Sequence, residues 1–181
     1  MIATTSTTEK AARLRELGAH HVINYKEDAN WGETAKKLTP GGRGVDHVIE
    51  VGGAATAEQS LKAIRYEGII SIIGFLGGAR GFPGLIDCLT NICTARGVYV
   101  GSRELMEDMV RAVEVNDIRP VVDQNVFAFD KAREAYDYQV SDILFNVHYE
   151  GDAGPLFSAS ANGSRVQWAK KHFGKVVIKI D

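Results

Sequence analysis

The sequence has few of the residues that would form a metal centre. It contains only two cysteines, Cys88 and Cys93, and lacks the second pair that a structural zinc site needs. Its five histidines show neither H-x-H nor H-E-x-x-H spacing. We therefore predict no metal site in this chain. Both cysteines are expected to be small buried hydrophobic side chains within one helix over residues 85–94.

Long hydrophobic runs and an excess of one charge are also absent. No apolar stretch approaches the roughly 20 residues of a membrane helix, and the Thr-rich start lacks the basic and hydrophobic regions of a secretion signal. The net charge of -2 gives no field suited to a polyanion. We expect a cytoplasmic protein with no membrane or nucleic-acid partner.

Strand-like runs alternate with segments long enough for crossover helices, and this alternation predicts an α/β fold with a parallel sheet. Apolar residues at helical spacing, closed by Gly18, are typical of a helix with a glycine cap. The predicted strands cover residues 1–5, 21–25, 45–51, 68–74 and 97–101, and the predicted helices 7–18, 28–38, 56–64, 85–94 and 103–116.

The feature most conspicuously missing is a glycine loop. A dinucleotide-binding fold places a G-x-G-x-x-G turn after its first strand, where backbone N–H groups hold the pyrophosphate. This sequence begins with a strand end, a helix and a short strand, which correspond to the middle of such a fold. Residues 1–139 are therefore expected to form a Rossmann-type doubly wound domain that lacks its first strand and glycine loop.

Five motifs in register carry a resemblance to a known family. They are TSTTEKAARLRELGA with VINY, GVDHVIEVGG, GIISIIGFLGG, the segment 127–138, and the terminal HFGKVVIKI. In this order they resemble the medium-chain dehydrogenase/reductase superfamily, which contains zinc-type alcohol dehydrogenases and quinone oxidoreductases. The resemblance implies an oxidoreductase that moves hydride between a nicotinamide cofactor and a small-molecule alcohol, aldehyde, ketone, quinone or enone.

The family's amino-terminal catalytic domain, with most of its zinc ligands and substrate pocket, is not in this sequence. No residue stands out as a catalytic acid, base or nucleophile. Asp46 lies at the start of a predicted strand, and Glu50 has no visible partner to tune it. Catalytic residues therefore remain unassigned. The competing interpretation is an inactive, truncated nucleotide-binding remnant or interaction module.

The end of the first predicted strand bears on cofactor choice. NAD-specific folds carry a carboxylate at the corresponding position, where it binds the ribose hydroxyls. This chain has Thr4, Thr5 and Ser6 instead, followed by Lys10. In similar quinone oxidoreductases the matching Ser, Lys and Tyr bind a 2′-phosphate, which implies that role for Ser6, Lys10 and Tyr25. NADP is predicted, with NAD as the alternative. Ser6 as a simple helix cap and Lys10 as a solvated lysine remain open.

Further candidates follow the next strands. Gly52, Gly74 and Phe75 fall at carboxyl ends of parallel strands, where ligands bind in open α/β sheets. Small residues at these strand ends allow the backbone to approach the nicotinamide ribose, although tight turns without a ligand would show the same sequence. The resemblance places Lys175 near the cofactor, whereas in isolation it would be a surface lysine. Ser102 is expected either to touch cofactor or to cap a helix.

Residues 140–167 interrupt the family pattern. The segment is rich in Gly, Ser and Ala and lacks a regular period, and joining Gln139 to Trp168 would restore the family spacing. We predict an irregular insertion that is a retained intron, with a substrate-covering or partner-binding loop as the alternative. Residues 168–181 are expected to form a terminal strand segment that returns to the absent catalytic domain.

The last predicted strand, from Gly97 to Gly101, is apolar and uncharged, which free sheet edges avoid. In similar dehydrogenases this edge pairs with its symmetry mate. We therefore expect a homodimer of the intact protein through this strand.

Overall fold

The structure is a computed structural model that describes residues 1–140 and 175–179. The chain divides into two compact units, Met1–Gly101 and Ser102–Asp181. The first unit alternates strands and helices, with one 3-10 turn at Pro40–Gly42: β1 Ile2–Thr5, α1 Thr8–Glu16, β2 His21–Asn24, α2 Trp31–Lys37, β3 Val45–Glu50, α3 Ala54–Ala63, β4 Ile64–Ile72, α4 Leu85–Thr90 and β5 Thr94–Gly97.

The strands of the first unit form two parallel sheets, β1–β2 and β3–β4–β5. This confirms the predicted α/β class and the parallel pairing. Within the residues described, β1 and β3 belong to different sheets. A doubly wound sheet with strand order 3-2-1-4-5-6 would carry its first strand between these two. The division into two sheets is therefore what the absent first strand predicts.

One small core joins the two sheets. Helices α2 and α3 approach so closely that a Cβ atom on Gly32 would lie 2.1 Å from the Gln59 carbonyl oxygen. The backbone N–H of Gly32 also donates to the Gln59 side chain at 3.0 Å. Only glycine fits this contact. The core itself consists of the buried residues Ile23, Ala35 and Ala63, with Ile2, Trp31 and Val45 packed against them.

The structure corrects two predicted boundaries around β5. The helix predicted over residues 85–94 ends at Thr90, so Cys93 lies outside it, and both cysteines are only partly buried. The strand predicted from Gly97 to Gly101 is wrong, because β5 covers Thr94–Gly97. Val100 has a φ of 50°, a left-handed conformation incompatible with a continuing strand.

Strand β4 also begins earlier than predicted, at Ile64 directly after α3. Its pairing with β3 shifts between Val45 and His47. Glu67, with a φ of 60°, lies in the part of β4 that this irregularity spans. Such a bulge interrupts the alternation of side chains, so the alternation pattern does not predict the first half of the strand.

The second unit contains α5 Arg103–Val115, β6 Val122–Ala128, a 3-10 turn at Phe129–Lys131, α6 Ala132–Val140 and β7 Lys175–Lys179. β6 and β7 pair in parallel, and the Phe127 and Tyr138 rings lie 5.6 Å apart. Helix α6 includes Val140, the first residue of the predicted insertion; residues 141–167 lie outside the described residues. In the part of the chain that is described, no helix is long and apolar enough to cross a membrane.

Candidate functional site

The loop after β3 and the loop after β4 are fastened to each other at the carboxyl edge of their sheet. Four backbone hydrogen bonds join them, from Ile73 to Glu50, Leu76 to Val51, Gly77 to Gly52 and Ala54 to Gly78. The structure thus brings together Gly52, Gly74 and Phe75, as their predicted positions require. Ligands of open α/β sheets bind at this edge.

Gly53 is the glycine that this arrangement constrains most. Its φ is 77°, and a Cβ atom there would lie 2.5 Å from the Gly78 carbonyl oxygen and 2.7 Å from the Phe75 Cα. Sequence reasoning singled out Gly52 and missed Gly53. At Gly52 a Cβ atom would lie 2.3 Å from the Thr56 hydroxyl oxygen, and at Gly74 it would lie 3.1 Å from the Val51 carbonyl oxygen. Packing between the loops therefore requires these glycines whether or not a ligand binds.

Glu50 anchors the site from within. It is 3% exposed and accepts hydrogen bonds from the Gly53 N–H at 2.9 Å and the Thr56 hydroxyl at 2.5 Å. Its second carboxylate oxygen accepts from the Ser60 hydroxyl. The expectation that Glu50 has no partner is wrong. The spacing of 50, 53, 56 and 60 was the signal, because Thr56 and Ser60 lie one turn apart on α3.

This network fixes the start of α3 relative to the end of β3. A carboxylate at a helix amino terminus is favoured by the unpaired N–H groups and the helix dipole. Because Glu50 is enclosed by its three donors, it is a positioning residue for the loop at 51–53 and is not placed to contact a substrate.

Ser6 and Tyr25 lie at the carboxyl edge of the β1–β2 sheet. The Tyr25 N–H donates to the Thr5 carbonyl at 3.0 Å, which sets the loop after β2 beside the loop after β1. The cap of α1 is Thr7, whose hydroxyl accepts from the Lys10 N–H at 3.2 Å. The alternative that Ser6 caps this helix is therefore wrong. Lys10 lies in the first turn of α1, three residues beyond the cap.

The remaining candidates lie elsewhere. Lys175 is the exposed first residue of β7 in the second unit. Ser102 caps α5 by accepting from the Leu105 N–H at 3.2 Å, so the capping alternative is confirmed. Asp46 is bonded by Arg65 at 2.6 Å. That hydrogen bond holds the pKa of Asp46 below its usual range, an effect of a surface ion pair rather than of a reactive centre.

No zinc donor set is found in the described ranges 1–140 and 175–179. Within them, no group of three or more His, Cys, Asp or Glu side chains is placed to hold a metal ion. The described residues therefore do not fit a zinc ion, and no metal chemistry is assigned to them.

The chain belongs to the zinc-binding dehydrogenase family, whose pattern matches residues 1–114. The resemblance to medium-chain dehydrogenases/reductases is thereby confirmed. A zinc-type alcohol dehydrogenase-like protein of Schizosaccharomyces pombe is 38% identical, covering 98% of this chain and 44% of that protein.

Solved structures agree with this assignment. A putative alcohol dehydrogenase from Sinorhizobium meliloti 1021 is 39% identical with a TM-score of 0.67, and the match covers 76% of this chain and 39% of that protein's chain. An NAD-dependent alcohol dehydrogenase is 25% identical with a TM-score of 0.71, and the match covers 99% of this chain and 43% of that protein's chain. The chain thus spans less than half the length of these relatives.

Proposed function

We propose that this chain is the cofactor-binding part of an NADP-dependent oxidoreductase that transfers hydride to or from an alcohol, carbonyl, quinone or enone. The observation that carries the proposal is the sheet edge where Ser6 follows β1 and Tyr25 follows β2, with Lys10 in the first turn of α1. This edge offers hydroxyl donors and an ammonium group where an NAD-binding fold would offer a carboxylate.

The proposed recognition is electrostatic. A 2′-phosphate accepts charge-assisted hydrogen bonds from Lys10 and ordinary ones from Ser6 and Tyr25. Glu9 also lies in the first turn of α1 and opposes an anion there, so the preference depends mainly on Lys10. NAD is the alternative cofactor, in which case the same hydroxyls would bind the ribose directly.

The fastened loops supply the other end of the proposed site. Gly52, Gly74 and Phe75 are proposed to flank the nicotinamide ribose, with the Phe75 side chain, 49% exposed, available to pack against it. Lys175 is proposed as a further contact in the whole protein. The bound cofactor would supply the hydride, while this chain's residues bind and orient it. The substrate pocket and the catalytic groups are not assigned to the described residues.

The two open strand edges favour a second candidate, a remnant that no longer binds nucleotide. Within the described residues β1 pairs only with β2, and β3 only with β4. We propose that in the active protein a further strand lies between β1 and β3 and brings the pyrophosphate-binding loop. The chain alone is expected to bind nucleotide weakly.

The experiment compares this chain with the same chain extended by the amino-terminal part of the Schizosaccharomyces pombe relative. NADPH and NADH binding are measured by calorimetry, and turnover with a panel of quinones and enals by NADPH absorbance. The proposal expects the extended protein to prefer NADPH by at least about tenfold, equivalent to about 1.4 kcal/mol. A folded extended protein that binds neither cofactor would favour the remnant.

A further inference from the structure

Helix α4 ends in a turn that brings Cys88, inside the helix, close to Cys93, which follows it. The Cys93 N–H donates to the Cys88 carbonyl at 3.0 Å, and the Ile92 N–H donates to the Leu89 carbonyl at 3.2 Å. Ile92 between them has a φ of 49°. This pair of bonds around a left-handed residue is the Schellman arrangement, in which the first and sixth residues commonly pack side chain against side chain. Here those two residues are Cys88 and Cys93.

The thiols are close enough to influence each other. Both are free and partly buried. Burial raises the pKa of Cys93, and the adjacent Cys88 thiol raises it further. A direct N–H to carbonyl bond leaves the two α-carbons roughly 5–6.5 Å apart, which is within the range of native disulfides. The separation of the two backbones is therefore compatible with a bridge.

The turn is also held from outside the helix. Ile92 is β-branched, and such residues rarely adopt a positive φ. Its carbonyl accepts a hydrogen bond from the Glu67 N–H of β4 at 2.6 Å. This tertiary bond stabilises a turn that local preference opposes. The two thiols are thus positioned in the reduced protein, before any covalent bond forms.

We propose that Cys88 and Cys93 are a dithiol modification site that closes to an intramolecular disulfide by exchange with a small-molecule disulfide. The Cys88 thiolate attacks one sulfur of oxidised glutathione, forming a mixed disulfide and releasing one glutathione thiolate, which takes up a proton. Cys93 then loses its proton to solvent and attacks the Cys88 sulfur. The Cys88–Cys93 bond forms as the second glutathione leaves. Two protein thiols are oxidised, and one glutathione disulfide is reduced to two thiols.

The test uses the full 181-residue chain in buffers of reduced and oxidised glutathione, with acid quenching, alkylation of free thiols and intact mass measurement. The wild type should lose both thiols together, and no glutathione adduct should persist. Cys93→Ser should instead accumulate a lasting adduct on Cys88.

A register control separates the turn from mere proximity in sequence. The double variant Cys93→Ser/Thr94→Cys moves the second thiol by one residue, from the turn into the first position of β5. The second step should be at least about tenfold slower in this variant, and also in the wild type under denaturing guanidinium chloride. Circular dichroism checks that each variant keeps its fold. Closure as fast in the register control or in denaturant as in the native wild type would overturn the proposal. A persistent wild-type adduct would do the same.

Discussion

Replacing Glu50 tests whether the buried carboxylate holds the cofactor-side loops. Glu50→Gln keeps the size of the side chain but removes the charge and turns one acceptor oxygen into an NH₂ donor. That donor then faces a donor from Gly53, Thr56 or Ser60, and Ser60 is only 1% exposed. A hydrogen bond to a charged group contributes about 1.5–3 kcal/mol, and a neutral one about 1 kcal/mol. Weakening three bonds while the hydroxyls reorient should lower the free energy of unfolding by about 2–3 kcal/mol.

The matched control is Glu58→Gln, the same substitution on the same helix. Glu58 pairs with Lys62 at 3.3 Å, but its side chain is 77% exposed. Exposed pairs of this kind contribute about 0.3–0.5 kcal/mol. Urea unfolding, followed by tryptophan fluorescence, to which Trp31 in the core contributes, and by circular dichroism, measures both variants. If Glu50→Gln fell within about 0.5 kcal/mol of Glu58→Gln, the anchoring role would be refuted.

Four further predictions concern a cofactor residue, a loop glycine, a surface ion pair and the proposed dimer edge. Lys10→Ala should weaken NADPH binding to the extended protein by about 1.5–3 kcal/mol and leave NADH nearly unchanged; equal losses by calorimetry would contradict the 2′-phosphate assignment. Gly53→Ala should lower the free energy of unfolding in urea by about 2–4 kcal/mol, because the new Cβ clashes with neighbouring backbone and the positive φ is unfavourable for alanine. Gly78→Ala has a φ of 104° and nothing within 4 Å of the new Cβ, so it should show only the smaller loss due to the positive φ. The ion pair with Arg65 lowers the pKa of Asp46, so it stabilises the fold above the unfolded carboxyl pKa of about 3.9, and this stabilisation is lost as pH falls through the pKa of Asp46 in the folded protein. Asp46→Asn should therefore flatten the dependence of unfolding free energy on pH in the acidic range, and an unchanged dependence would rule this out. Val98→Lys, next to the edge strand β5, should convert the proposed homodimer to monomers by light scattering, and a persistent dimer would place the interface elsewhere.

Alternation and helical spacing predicted the class of fold and most element positions, because those patterns report which faces are buried. Local signals failed where tertiary contacts decide. The segment around Ile92 has no glycine, so the helix was predicted to continue through Cys93. The Glu67 N–H bond to Ile92 is a long-range contact that no local pattern contains.

The Glu50 network was missed for a different reason. The predicted helix over residues 56–64 begins at Thr56, so residues 53–55 are not expected to belong to a helix. The real α3 begins at Ala54 with Gly53 before it. With this earlier start Gly53 is the cap and Thr56 lies in the first turn, and both donate to the Glu50 carboxylate. The left-handed φ of Gly53 places the boundary, and two adjacent glycines gave no local reason to prefer one over the other.

Sheet completion and cofactor binding are expected to be coupled in this chain. The first unit holds its two sheets together mainly through the α2–α3 contact at Gly32 and one small hydrophobic core. The open edges of β1 and β3 are two rows of backbone groups that a central strand would satisfy at once. The β1 end carries the proposed phosphate-binding residues, and the β3 end carries the loop anchored by Glu50. A strand between them would fix the distance between these two halves of the site.

A substitution that loosens the α2–α3 contact, such as Gly32→Ala, should therefore weaken cofactor binding most in the chain without that strand. In the extended protein, where the strand itself sets the spacing, the loss should be smaller. Calorimetry on both proteins measures the difference, and equal losses would show that the two halves bind independently.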